Sequence, residues 1–182
     1  MSLSRALLAT SAALLAAIAG WPALTQTAPV DVNMPVLVPV TGFLSLEGTS
    51  QRNGAVLALK NAPAGIRVNY DVADTGVSPE VAVNALERAL SRRPVTAVTA
   101  SMLGTQMLAM LPVAKEYRVP LITVSGTAQI TEAHNPYVFR FFPGDNVTKA
   151  AHVRYAVEVL GKKRPALIYQ TTAYGQSGRK HI

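Results

Sequence analysis

Hydrophobic and polar positions change period repeatedly along this chain, and the changes divide it into alternating strands and helices. Val36 to Val40 is a short apolar run entering a Thr41-Gly42 turn, as a buried strand would. Gly48 to Asn61 carries Ala55, Leu57, Ala58 and Leu59 and is expected to be helical, stopped by Pro63-Ala-Gly65. Ile66 to Val72 alternates like a second strand, with a loop at 74–77. The clearest helix follows. Ser78 suits its N-cap, Pro79 its first turn and Glu80 its positive end. Val81, Ala82, Ala85, Leu86, Ala89 and Leu90 then recur at a period of about 3.6 and form one apolar stripe.

The second half continues the alternation. Val95 to Thr99 is the third strand. Leu103 to Tyr117 reads as a helix with Pro112 inside it, which predicts a kink or a broken first part. Pro120 to Val124 and Val138 to Phe142 are further strands. Asp145 to Leu160 is a helix with apolar Ala150, Val153, Ala156, Val157 and Leu160, and Gly161 ends it. Ala166 to Tyr169 is the last expected strand. Short apolar strands alternating with helices predict an α/β fold, a doubly wound parallel sheet covered on both faces. Phe142-Pro143-Gly144 is the candidate boundary between a first α/β lobe, 29–142, and the start of a second, 143–182.

Residues 1–28 stand outside this pattern. Arg5 precedes a Leu/Ala-rich run from Leu7 to Ala19, of the length of a signal-peptide core and short for a membrane span. Small residues at Ala17-Ile18-Ala19 and Ala23-Leu24-Thr25 offer cleavage sites, so export to the periplasm is expected; an uncleaved anchor is the alternative. The 182 residues are 49% hydrophobic, enough for a core, and contain no cysteine, which excludes thiol catalysis and cysteine zinc sites. The formal charge of +7 comes in short clusters, Arg92-Arg93, Lys162-Lys163-Arg164 and Arg179-Lys180. They fall at expected helix ends, where cations complement the helix dipole, so nucleic acid is not an expected partner.

The fold class hosts many enzymes, but their motifs are missing. The first turn lacks a Gly-x-Gly-x-x-Gly fingerprint, no phosphate-binding loop occurs, and Ser125-Gly126 lacks the first glycine of a nucleophile elbow. His134, His152 and His181 have no metal-ligand spacing. No catalytic residue, cofactor or metal is expected. Polar residues at the carboxyl ends of strands remain: Ser101 after the third, Ser125, Gly126 and Thr127 after the fourth, Asp145 after the fifth and Tyr174 after the sixth. That edge is where ligands bind in open α/β sheets. Hydroxyls suit a carboxylate, an acid suits an ammonium, and a tyrosine can close over the ligand. Together they describe a receptor for a zwitterion. Each also has a plainer reading: Ser125 and Thr127 as turn formers, Asp145 as a helix cap, Tyr174-Gly175 as an ordinary loop.

The order of several short motifs over residues 34–178 resembles the periplasmic solute-binding proteins of branched-chain amino-acid ABC transporters. They are Val38-Pro39-Val40-Thr41-Gly42, Asn53-Gly54-Ala55, Ser78-Pro79-Glu80-Val81-Ala82, Val119-Pro120, Asn135-Pro136-Tyr137-Val138-Phe139-Arg140 and Tyr174-Gly175-Gln176. The resemblance implies the type I periplasmic binding fold. Two lobes close on a ligand, and the loaded monomer docks on the membrane permease subunits of an ABC importer. It also implies that Ser101, Ser125 and Thr127 hold the carboxylate of an amino acid or related acid, Asp145 its ammonium, and that Tyr174 comes from the second lobe. The serine expected after the third strand aligns on Met102, so Ser101 must substitute for it. A first-turn aromatic is replaced by Leu46 or Glu47. The family is longer than this sequence, so a second acid for the ammonium and most of the second lobe are expected beyond Ile182. A ligand-sensing module of the same fold, a truncated non-functional remnant and an exported enzyme are the remaining readings.

Overall fold

The structure, a computed structural model, describes residues 28–182. The expected signal peptide lies outside the described residues, except for Ala28. Among the described residues, seven strands and six α-helices follow one another in chain order. They are β1 (Val30–Asn33), β2 (Val36–Val38), α1 (Ser45–Lys60), β3 (Ile66–Asn69), β4 (Val72–Asp74), α2 (Pro79–Arg92) and β5 (Val98–Thr99). Then come α3 (Gly104–Glu116), β6 (Leu121–Thr123), α4 (Gln129–Glu132), β7 (Val138–Arg140), α5 (Asp145–Arg154) and α6 (Ala173–Lys180).

Five strands form one wholly parallel sheet in the order β4-β2-β5-β6-β7, the doubly wound arrangement the alternation predicts. The remaining pair, β1 and β3, makes a parallel ladder of its own. The expected single strand from Ile66 to Val72 is therefore split. Backbone bonds still cross the break, from the Met34 N–H to the Asn69 carbonyl at 2.9 Å and from the Val36 N–H to the Asp71 carbonyl at 2.8 Å. The register is the same on both sides of the break, with Val30 opposite Ile66 and Val36 opposite Val72.

Leu37, Val98 and Leu121 face α2 and α3 and join Ala82, Leu86, Met107, Met110 and Ile130 in the core. Ser78 caps α2 by accepting from the Val81 N–H at 3.4 Å. The helix carrying Pro112 is not broken: α3 runs continuously from Gly104 to Glu116. Pro112 removes one N–H partner for the Leu108 carbonyl, but the buried Met107, Met110 and Ala114 hold the helix on the core. Asn135 secures the next turn, donating to the Leu111 carbonyl at 2.8 Å and accepting from the Tyr137 N–H at 3.0 Å.

Two further expectations are corrected. Ala166 to Tyr169 forms no strand; it is exposed, with Ile168 97% accessible. An extended segment becomes a strand only when a neighbour takes its hydrogen bonds, and among the described residues it has none. The helix from Asp145 changes to a π-helical turn at Tyr155–Val159 before Gly161 ends it at φ 62°. Its apolar Val157 and Leu160 are exposed. No described helix is long and apolar enough to cross a membrane.

Candidate functional site

The strand order reverses between β2 and its neighbours β4 and β5. In such sheets the loops leaving the carboxyl ends at the reversal splay apart and leave a crevice. A cavity of about 330 Å³ lies here, within the size range of small-ligand sites. Leu44 before α1, Met102, Leu103 and Gly104 after β5, Val124 and Gly126 after β6, Phe142 after β7, and Gln170 and Tyr174 around the start of α6 line it. Most of this wall is apolar.

Each loop is held by a specific contact. Asp74 at the end of β4 accepts from the N–H groups of Val40 (2.9 Å), Thr41 (3.3 Å) and Gly76 (2.8 Å), and from the Thr41 hydroxyl. Burial pushes the Asp74 carboxyl up, but these four hydrogen bonds outweigh it and hold its pKa below the ordinary value of 3.8. The stabilisation Asp74 contributes is thus present above pH 3.8 and is lost as pH falls through the lower folded-state pKa. Asp74→Asn is expected to lower the melting temperature at neutral pH. The gap to the unchanged protein should close under acid conditions. A gap that is constant in thermal melts across that range contradicts the assignment. On α1, Gln51 donates to the Ala100 carbonyl at 2.9 Å and accepts from the Met102 N–H at 3.2 Å, fixing the loop after β5.

The sequence-derived residues divide into two groups. Ser101 is buried, but its hydroxyl accepts from the Leu103 N–H at 3.1 Å and so shapes the turn into α3. Met102, not Ser101, lines the cavity. Ser125, Thr127 and Asp145 are each 1% accessible or less. Ser125 Oγ, Thr127 Oγ1 and Asp145 Oδ2 are buried and have no hydrogen-bond partner within the protein. Buried polar groups are paired in the great majority of cases, so three orphans around one loop mark a place built for something further. Ser125 and Thr127 flank Gly126, whose bare backbone brings the elements together. A Cβ there would lie 3.2 Å from Tyr174 Cε2 and 3.3 Å from Asp145 Oδ1. The Asp145 N–H donates to the Gly126 carbonyl at 2.8 Å. The structure therefore brings Ser125, Thr127, Asp145 and Tyr174 around Gly126, while Ser101 shapes the neighbouring turn.

Several residues of the site had no sequence signal. Gly104 opens α3 against Thr127: a Cβ there would sit 2.0 Å from Thr127 Oγ1. Ser177 on α6 accepts from the Ala128 N–H at 3.0 Å and seats that helix on the loop after β6. Thr172 caps α6 by accepting from the Gly175 N–H at 3.3 Å, so Tyr174 stands on a helical turn and not in an ordinary loop. Lys149 reaches Asp145 Oδ1 at 3.6 Å and donates to the Tyr174 hydroxyl at 3.2 Å. Among the described residues no cluster of three His, Asp or Glu could hold a metal ion.

Comparison with known proteins places this arrangement. The family model described as periplasmic binding protein matches residues 31–182, and the chain belongs to that family. Its members bind substrates and are not enzymes. The leucine-binding protein LivK from Thermotoga maritima has a similar fold, with 27% identity and a TM-score of 0.77 over 82% of this chain. A solute-binding protein of an ABC transporter from Rhodopseudomonas palustris, in complex with 3,4-dihydroxy benzoic acid, superimposes with a TM-score of 0.76 at 22% identity over 83% of this chain. LivJ from Streptococcus pneumoniae, a branched-chain amino acid transporter substrate-binding protein in complex with isoleucine, gives 0.70 at 20% identity over 83%. The chain spans 44%, 42% and 46% of those three structures. No curated protein matches the sequence.

Proposed function

We propose that this protein is the substrate-binding component of an ABC importer for a small carboxylate of the branched-chain amino-acid type or a relative of it. The chain is exported by its N-terminal segment and works in the periplasm as a monomer without a cofactor. Its first lobe, 29–142, and a second lobe beginning at 143–182 close on the ligand, and the loaded protein docks on the permease. The orphaned Ser125 and Thr127 hydroxyls beside the crevice carry this reading: they are donors with nothing to donate to, at the sheet edge where the fold binds ligands. A carboxylate supplies the acceptors they lack. The amino-acid and benzoic-acid ligands of the two similar structures both carry one.

Calorimetric titration of the full-length protein against amino acids, their deaminated counterparts and the matching amines tests this. Saturable binding is expected for carboxylates and none for amines lacking one. An amine that binds as well as its acid sinks the proposal.

A further inference from the structure

Asp145 is the residue whose charge would hold a ligand ammonium, and in this structure it already holds one. The Lys149 ammonium lies 3.6 Å from Asp145 Oδ1, one helical turn along α5. It also donates to the Tyr174 hydroxyl at 3.2 Å and sits 4.9 Å from the centre of the Tyr174 ring. The side chains of Asp145 and Lys149 are only 2% and 15% accessible. Exposed pairs of this spacing are common and nearly neutral in energy. A pair withdrawn from water is different, because separating it strands a buried charge. An amino acid binding through the unpartnered Asp145 Oδ2 would set its own ammonium beside a second cation.

We propose that Lys149 selects the ligand: the site takes a monocarboxylic acid with an apolar or aromatic body and no free ammonium group. This rests on the carboxylate-binding reading given above. Four features agree. Asp145 is already paired with Lys149, so a ligand ammonium would meet no uncompensated negative charge beside the Ser125 and Thr127 hydroxyls. The wall offered to the rest of the ligand includes Leu44, Met102, Val124 and Phe142, which suit a hydrocarbon body and leave an ammonium unsolvated. Met102, found where the resemblance expects a serine, removes one polar partner from that wall. Tyr174, held by Lys149, lines the same cavity.

The test compares leucine with isocaproate, which is leucine without its amino group, by calorimetry on the full-length protein. Isocaproate is expected to bind about tenfold tighter or more. Leucine binding equally well or better overturns the inference and leaves the carboxylate reading standing. Binding of neither at millimolar concentration, nor of any other carboxylate, defeats both. Lys149→Gln, checked for folding by thermal melting, frees Asp145 while keeping a hydrogen-bonding side chain. It is expected to shift the preference toward leucine by about tenfold. An unchanged preference in a folded variant shows that the pair only braces the helix, and overturns the assignment of Lys149.

Discussion

Gly48→Ala is expected to destabilise the protein by about 1–3 kcal/mol, or more, although alanine is the better helix former. The added Cβ would lie 1.7 Å from the Pro39 carbonyl oxygen and 2.5 Å from its carbon. Those atoms belong to the chain leaving β2, so no side-chain rotation relieves the overlap. The helix α1 must back away. Its retreat would pull Gln51 from Ala100 and Met102 and loosen the cavity wall. Gly54 provides the control. It lies in the same helix with nothing within 4 Å of its added Cβ. Gly54→Ala should therefore stabilise by roughly 0.5–1 kcal/mol through backbone entropy and helix propensity. Chemical denaturation of both variants measures the contrast. Equal effects would mean that α1 is not in close contact with the end of β2.

Thr127→Val should separate stability from binding. In the free protein, Thr127 Oγ1 is buried without a partner, and such a group costs about 1–3 kcal/mol. Valine keeps the shape and removes the cost. The melting temperature is expected to hold or rise. The same change removes a donor to the ligand carboxylate, a charge-assisted bond typically worth about 1.5–3 kcal/mol, or tenfold or more in affinity. Ser125→Ala should behave alike, for the same reason. A purely structural hydroxyl predicts the reverse pairing, lower stability with unchanged affinity. Melting curves and titrations of the same preparations decide between them.

These two variants also trace the line between sequence and structure. The alternation of apolar runs with amphipathic stretches was enough for the parallel α/β class. Where an element's signals are local, its expected form was close. The helix α2 is the clearest case, with Ser78, Pro79 and a stripe including Ala82, Ala85 and Leu86 all inside one short stretch. The ordered motifs over residues 34–178 likewise pointed to the family that the match over 31–182 shows.

Pairing was not legible, because a strand's neighbour is not encoded within the strand. Ala166 to Tyr169 has a strand's composition but no hydrogen-bonding partner, whereas Val30–Asn33 has one in β3 and became a strand unannounced. Pro112 weighed as a helix breaker in isolation, yet buried packing of α3 overrode it. In the site, residue type could nominate Ser101, Ser125, Thr127, Asp145 and Tyr174 but could not say which hydroxyl was already used. Ser101 Oγ accepts from the Leu103 N–H, while the Ser125 and Thr127 hydroxyls have no partner within the protein. The sequence thus determined which elements form and which chemistry stands at strand ends. Only the tertiary structure decided that Asp145 and Tyr174 both close on Gly126, and that Lys149 reaches both. Periodicity records which face of an element is apolar, whereas a binding site depends on the distances between elements, and those are set by packing.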